Sequence, residues 1–271
     1  MDIALIIISA LLVAFAALYL FAVATKRSKE IKKYRGARFA HRGLHSDTAA
    51  ENSMSAFRLA VENGYGIELD VRLSSDGTLV VFHDDTLERV TGREGRVDAF
   101  TAEELSKIHL HETDDTIPTF KEVLELVSGK VPLLVEIKED AGNLDVSTET
   151  ARILSEYEGE YIIESFNPVS LKNVKKLLPG VERGFLSQCF YREEKYRKPM
   201  YFLLQCLLTN FLCRPSFIAY NHKHYKSFGL FVARKLFGAT TFAWTIKSKE
   251  EEAAAKAHGF DGVIFEGYIP D

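Results

Sequence analysis

Cysteine is scarce, and its placement builds no framework. The chain has three cysteines, Cys189, Cys206 and Cys213, an odd number with no Cys-x-x-Cys pair. That excludes a disulfide scaffold and a cysteine zinc site, and the three are expected to be buried free thiols in a reducing compartment. A basic excess is also lacking. The formal net charge is −4, which argues against a general nucleic-acid binder, because such proteins carry a basic face. Internal repeats and low-complexity tracts are absent as well. What remains is an ordinary globular composition, 271 residues with 46% hydrophobic and 27% charged. Such a chain buries a sizeable core without covalent help, as one large domain or two small ones.

One long apolar run stands out. Ile3 to Ala24 is apolar apart from Ser9 and Tyr19, about the length that crosses a hydrocarbon core as a helix. Lys26, Arg27, Lys29, Lys32, Lys33 and Arg35 follow it, opposed only by Glu30, whereas Asp2 is the one charge before it. The positive-inside rule then places the C-terminal side in the cytoplasm. Ala22-Val23-Ala24 imitates a signal-peptide cleavage site, but the basic n-region and the shorter apolar core of a signal are missing. A retained anchor is the expectation, with the basic stretch against anionic headgroups.

Beyond it, short apolar runs alternate with amphipathic segments. Strands are predicted over 38–41, 66–73, 79–83, 133–137, 161–165, 184–186, 217–220, 242–246 and 262–265, with a turn at Asp76-Gly77. Helices are predicted after Asn52-Ser53, from Phe120, and over 146–157, 168–178 and 249–257. About eight alternating units over some 230 residues fit a parallel (β/α)8 barrel, a TIM barrel of the α/β class, better than an open sheet. The expected organisation is therefore a transmembrane anchor over 1–25, a basic juxtamembrane linker over 26–37 and a barrel over 38–271.

Four short motifs fall at strand ends, where barrel enzymes keep their reactive groups. They are His41-Arg42-Gly43, Glu68-Leu69-Asp70, His83-Asp84 and Glu136-Ile137-Lys138. Residues i and i+2 of a strand share a face, so Glu68 and Asp70 converge, and Glu136 lies parallel to Lys138. Glu68, Asp70 and Glu136 at one barrel mouth repel each other unless a cation lies between them, and hard oxygen ligands suit Mg²⁺ or Ca²⁺. Arg42 and Lys138 supply a positive cradle for phosphate, and His41 and His83 handle protons near neutral pH. Alone, a His-Arg-Gly is usually a satisfied strand end and a Glu-x-Asp more often a solvated face; their conjunction is the signal.

The run from Ala40 to Gly92, with "VEIK", "ESFNP", "AWTI" and "DGVIFEG" further on, resembles the glycerophosphodiester phosphodiesterase family over roughly 39–267. The resemblance implies a (β/α)8 barrel, one divalent metal ion, and hydrolysis of glycerophosphodiesters to glycerol 3-phosphate and an alcohol. By position, His41 and His83 match the family's acid/base pair, Glu68, Asp70 and Glu136 its metal ligands, and Arg42 and Lys138 its phosphate-contacting cations. Glu51-Asn52, Ser165-Phe166 and Trp244 match further substrate-binding positions. Two departures stand out: Phe265-Glu266-Gly267 replaces the usual end of the last strand, and Ala50 replaces the proline before Glu-Asn. They bear on substrate shape and on the role of Glu266. In this scheme His83 protonates the leaving group, and the attacking oxygen belongs to water or to the glycerol 2-hydroxyl.

Residues 191–216 form an unusual insertion. Met200, Tyr201, Phe202, Leu203 and Leu204 open an apolar stretch too short and too interrupted to span a membrane. It is either the barrel's fifth outer helix or an interfacial helix that docks on lipid and turns the mouth toward the bilayer. His109, His111, Asp114 and Asp115 read as a solvated loop, His222 and His224 as possible mouth residues, and Phe228 to Phe237 as a plain amphipathic helix. Three functions compete: a diesterase for soluble glycerophosphodiesters, a lysophospholipase D-type enzyme for membrane lysolipids, and a non-catalytic membrane-tethered barrel. The expected partners are accordingly a glycerophosphodiester or lysophospholipid substrate, membrane lipid through the N-terminal helix and, on one reading, 191–216, and no nucleic acid.

Overall fold

Strands covered on both faces have to be apolar along their length, and this chain supplies such runs at regular intervals. The computed structural model describes residues 3–139 and 142–270. In chain order they form α1 (Ile3–Val23), β1 (Arg38–Ala40), α2 (Met54–Glu62), β2 (Gly66–Leu73), β3 (Leu79–Val81), α3 (Glu88–Thr91), α4 (Ala102–Leu105), α5 (Phe120–Val127), β4 (Leu133–Ile137), α6 (Asp145–Leu154), β5 (Tyr161–Ser165) and α7 (Pro168–Leu177). Then follow β6 (Arg183–Ser187), α8 (Pro199–Gln205), α9 (Asn210–Cys213), β7 (Phe217–Asn221), α10 (Phe228–Lys235), β8 (Thr240–Ile246), α11 (Lys249–Ala257) and β9 (Gly262–Phe265).

Eight of the strands run parallel in the order β1, β2, β4, β5, β6, β7, β8, β9, and β9 pairs back onto β1 to close the barrel. Phe39 is the closing residue, opposite Gly66 on one side and Ile264 on the other. The strand predicted over 79–83 stands apart: β3 turns back antiparallel on the upper half of β2, because the tight Ser74–Thr78 turn reverses the chain. From there to β4 the chain builds a satellite core of Val80, Phe82, Leu87, Val90, Leu105 and Ile117 against Ala50 of the first loop.

The lower half of the barrel is filled by aromatic rings facing glycines. Phe39, Phe217 and Phe242 lie directly opposite Gly66, Gly184 and Gly262 on neighbouring strands. A Cβ on Gly184 would lie 1.9 Å from the Phe217 ring, so only glycine admits that ring. The segment 26–37, expected as a linker, belongs to this floor. Its 3-10 turn Glu30–Tyr34 buries Ile31 and Tyr34 among Phe39 and Phe217. Three of its basic side chains pair with acids of the barrel underside, Lys26 with Glu182, Lys33 with Glu160 and Arg35 with Asp261.

The insertion is not one helix. A left-handed residue, Leu207 (φ 59°), breaks it into the short α8 and α9, and Leu204, Leu207 and Cys213 turn into the core. The three cysteines are free thiols, of which Cys213 is buried.

Helix α1 is long and apolar enough to cross a membrane, with mean hydropathy 2.8, and it lies near the N-terminus, where a signal sequence would pass the same test. Its last turn is fastened to the barrel wall. Asn210 Nδ2 donates to the Val23 carbonyl at 3.0 Å, and Arg214 donates to the Phe21 carbonyl. Tyr19 stacks on Phe228 at the start of α10, while Arg27 reaches the Leu236 carbonyl at its end. The end of α1 thus runs beside α10 in the same direction, away from the C-terminal ends of the strands. Ile3–Leu18, all exposed, extend the opposite way, beyond the mouth of the barrel.

If the Phe217–Gly184 contact fixes the floor, Gly184→Ala lowers stability by about 1–3 kcal/mol, the usual cost of overpacking. Phe217→Leu on that background should recover part of it. Urea midpoints of wild type, single and double variants measure both, and an unchanged midpoint for Gly184→Ala would exclude a tight floor.

Candidate active site

β2 is buried along most of its length, and alternation sends Glu68 and Asp70 into the barrel. β4 lies beside it with Glu136 in register with Asp70. Ligand oxygens of these three buried carboxylates all lie within 4.8 Å of one another. Burial, together with the Asp70 and Glu136 charges, pushes the Glu68 pKa well up. Burial likewise raises Glu136, partly opposed by Lys138. Asp70 goes the other way: burial favours its neutral form, but Lys138, His83 and Arg42 outweigh it and hold the pKa far below the usual carboxylate range.

The compensating cations are Lys138, whose Nζ lies 2.6 Å from Glu136 and 3.1 Å from Asp70, and Arg42, 3.5 Å from Asp70. Asp70 Oδ1 and Glu136 Oε1 accept no well-directed hydrogen bond despite the nearby ammonium. The cluster therefore keeps unused acceptor capacity on hard oxygens, a donor set that fits Mg²⁺ or Ca²⁺.

The first loop is wrapped around this cluster by two left-handed residues, Arg42 (φ 57°) and Asn52 (φ 56°). Such conformations cost energy and persist where the surroundings over-determine them. Here the Arg42 N–H donates to Glu68 at 2.8 Å, and Asn52 Nδ2 donates to Asp70 at 2.9 Å. Gly43 closes the turn where a Cβ would lie 2.9 Å from Ala56. Glu51 receives Arg42 and Arg89, both at 2.7 Å. Burial alone would raise its pKa, but the two guanidiniums hold it at about 2.

Each histidine rests on its own carboxylate. His41, just past β1, places Nδ1 against Glu266 at 2.5 Å, and His83 places Nδ1 against Asp84 at 2.5 Å. That leaves both Nε2 atoms available, and His41 Nε2 lies 4.0 Å from Glu68. Burial lowers the pKa of His41 against the pull of Glu266. Burial also lowers His83, to about 4, although Asp70 and Asp84 pull it up.

Phe166 and Trp244 form an aromatic side of the mouth, edge to face at 5.6 Å, with Lys138 Nζ 6.0 Å from the Phe166 ring. The buried Trp244 Nε1 has no hydrogen-bond partner. The Ser165 hydroxyl, by contrast, is used locally, donating to the Ile137 carbonyl at 2.8 Å and tying β5 to the end of β4. A cavity of about 150 Å³ adjoins this side, lined by Arg72, Glu136, Lys138, Ser165, Phe166 and Asn167.

Several groups at the site lie within the quoted motifs without a role assigned by them. Glu266 sits at the end of the last strand and reaches His41 only because the barrel closes; it also takes Lys247 at 2.6 Å. Arg89 comes from α3 and joins Asp84 to Glu51. Glu164, in register with Glu136, is a fourth buried acid whose Oε2 lacks a partner, and burial beside Glu136 and Glu68 keeps its pKa well raised. The visible signals are the His83-Asp84 adjacency and the unusual Glu266 at the end of the last strand. The other polar side chains have local partners. Asp115 accepts the Ala50 and Ser55 N–H groups, His222 faces Glu251, and His224 accepts the Cys189 N–H.

The model of the glycerophosphoryl diester phosphodiesterase family matches residues 41–267. A glycerophosphodiester phosphodiesterase of Caldanaerobacter subterraneus is 36% identical over 237 residues, covering 83% of this chain and 91% of its own length. Among solved structures, a glycerophosphodiester phosphodiesterase of Thermotoga maritima superposes with a TM-score of 0.67 at 29% identity, over 85% of this chain and 94% of that one. An Oleispira antarctica phosphodiesterase in complex with the product sn-glycerol-3-phosphate gives a TM-score of 0.73 at 24% identity, over 86% and 94% of the two chains. Barrel, carboxylate cluster and matched span agree: the chain belongs to the glycerophosphoryl diester phosphodiesterase family and is a phosphodiesterase of that family.

Proposed function

We propose that the protein hydrolyses glycerophosphodiesters to glycerol 3-phosphate and an alcohol, with His41 and His83 as its proton-handling pair. The observation that carries this reading is the convergence of two carboxylate-backed imidazoles on a buried cluster flanked by Arg42 and Lys138. Glu68, Asp70 and Glu136 would hold a Mg²⁺ or Ca²⁺ ion, which when bound supplies charge neutralisation at the phosphoryl oxygens.

Arg42 and Lys138 bind and orient the phosphate. Glu51 and Asn52 keep the first loop closed over it, Ser165 locks the strand end that bears Lys138, and the free Trp244 Nε1 offers a donor to a substrate hydroxyl. One imidazole Nε2 takes the proton of the attacking oxygen, from water or from the substrate's 2-hydroxyl. The other delivers a proton to the departing alkoxide, a role assigned to His83. Glu266 and Asp84 hold Nδ1 protonated and stabilise the imidazolium as it forms, as the aspartate of a catalytic triad does.

Helix α1 would anchor the enzyme as a single span, with the barrel on the cytoplasmic side. The projection of Ile3–Leu18 past the mouth favours a second substrate class, membrane lysolipids cleaved in a lysophospholipase D-type reaction.

Turnover of glycerophosphocholine, glycerophosphoethanolamine and lysophosphatidylcholine, each with Mg²⁺, Ca²⁺ or EDTA, tests the reading directly. Release of glycerol 3-phosphate that EDTA abolishes supports it; metal-independent turnover would sink it. His41→Ala and His83→Ala should each cost about 10²–10⁴ in kcat while metal still binds, and two near-normal variants would remove the acid/base pair.

Glu266→Gln should lower kcat by about tenfold or more with little change in KM. Glu266 raises the His41 pKa against burial, so its loss should move the His41 limb of the pH–rate profile to lower pH. An unmoved limb would reduce Glu266 to a structural role.

Raised carboxyl pKa values also fix a sign for metal binding. For Glu68 and Glu136 the folded protein without metal prefers the protonated acid. Their contribution to stability is thus fully present below the ordinary glutamate pKa and is lost as pH rises through the folded values. A cation reverses this by requiring the ionised form. The rise in melting temperature caused by Mg²⁺ or Ca²⁺ should therefore grow from pH 5 to pH 8, and a shift that shrinks with pH would speak against these ligands.

A further inference from the structure

The barrel wall around α8, α9 and α10 breaks the usual rule for outer helices. α10 buries Leu230, Val232 and Ala233 against the sheet, yet it also leaves Phe228 67%, Phe231 55% and Leu236 54% exposed. Phe211 on α9, beside Phe21 of α1, is exposed as well. A helix hydrophobic on both sides expects cover on both. The last turn of α1 abuts this patch, through Tyr19 on Phe228 and Phe21 on Phe211, with ring centroids 5.7 and 5.9 Å apart.

We propose that this patch seats on the lipid bilayer that α1 enters, so that the barrel is held with its mouth turned toward the headgroups. The proposal rests on the reading of α1 as a membrane span. A helix of 21 residues is about 31 Å long at 1.5 Å per residue, close to the roughly 30 Å hydrocarbon thickness of a bilayer. Its final turn therefore lies at the membrane boundary, and side chains stacked on that turn lie at the same depth. The attachment is rigid, because backbone carbonyls of Phe21 and Val23 are hydrogen-bonded to Arg214 and Asn210. The barrel consequently does not swing on a tether.

Charge and direction agree. Arg192, Lys223 and Lys226 line a cavity of about 490 Å³ between the insertion and the start of α10. Lys195 and Arg197 lie nearby, their charge partly offset by Glu193 and Glu194. These basic groups lie beside Phe228 at the mouth end of α10, the level at which an anionic headgroup layer would meet the rim. The span leaves toward the C-terminal ends of the strands, so the surface that meets lipid includes the rim of the mouth.

Quenching by brominated lipids tests this on the full-length chain in vesicles of phosphatidylcholine and phosphatidylglycerol. Three variants each add one tryptophan to the native Trp244: Leu12→Trp in the span, Phe231→Trp on the patch, and Glu125→Trp on α5, on the far side of the barrel. The emission added over the parent protein should be lost for Leu12→Trp and Phe231→Trp and kept for Glu125→Trp. Quenching at Leu12 without quenching at Phe231 overturns the seating while leaving the anchor intact. A blue-shifted but unquenched Phe231→Trp would mean that protein, such as a second copy of the chain, covers the patch, and it also overturns the proposal. Absence of quenching at Leu12 overturns the span itself. None of these readouts depends on turnover, so failure of the diesterase reading is a separate result.

Discussion

Three carboxylates buried at one end of a barrel are an electrostatic problem, and much of the upper half of this molecule is arranged around it. Like charges at this separation, away from water, cannot all ionise without compensation. Lys138 and Arg42 supply part of it, and the opposite pKa directions of Asp70 and Glu68 show how incompletely they do so. The remaining imbalance is what makes the cluster a cation site rather than a set of internal ion pairs. It also accounts for the strained turn after β1, since the left-handed Arg42 aims its own N–H at Glu68. The energy cost of that conformation is offset by a buried hydrogen bond.

The second constraint is closure. A barrel brings its last strand beside its first, and here that places Glu266 under His41 although 225 positions separate them in the chain. His83 has the same support from its immediate neighbour, Asp84. Chemically the two histidines are alike, each with Nδ1 committed to a carboxylate. They differ in what fixes them. The His41 arrangement depends on the β1–β9 register, and that of His83 on the Arg89 bridge from the satellite core. Loss of floor packing would therefore reach one histidine more than the other.

Much of the fold is legible from local pattern. The runs 66–73, 133–137, 161–165 and 262–265 form strands over those residues, because a strand covered on both sides leaves an unbroken apolar run between turn residues. The helix over 249–257 forms as its spacing predicts. Legibility ends where partners are distant. The basic segment 26–37 reads as a linker by charge, yet Ile31 and Tyr34 belong to the barrel floor, and two apolar residues among lysines give no periodic signal. Within the site, Glu68, Asp70 and Glu136 converge because two-residue alternation is a local rule. Glu266, Arg89 and Glu164 meet the others through closure, a loop excursion and strand register, none of which is written in neighbouring residues. Ser165 shows the converse: a matched position whose hydroxyl spends its donor on the Ile137 carbonyl.

Residues 228–237 show why amphipathicity has to be judged against the whole wall. Glycine at 229 lets α10 approach the Cys206 carbonyl so closely that a Cβ would lie 2.5 Å from it. That approach draws the α8 end, α10 and the last turn of α1 into one face. Phenylalanines that look incidental along the sequence become neighbours there, aligned with a helix that points past the mouth. The same sheet direction that collects the carboxylates at the strand ends thus decides which end of the barrel α1 overhangs. The site and the exposed part of α1 lie at one pole, and the floor of Phe39, Phe217 and Phe242 holds the other. A diester arriving from the lipid side would meet Lys138, Arg42 and the two imidazoles without having to pass around the barrel.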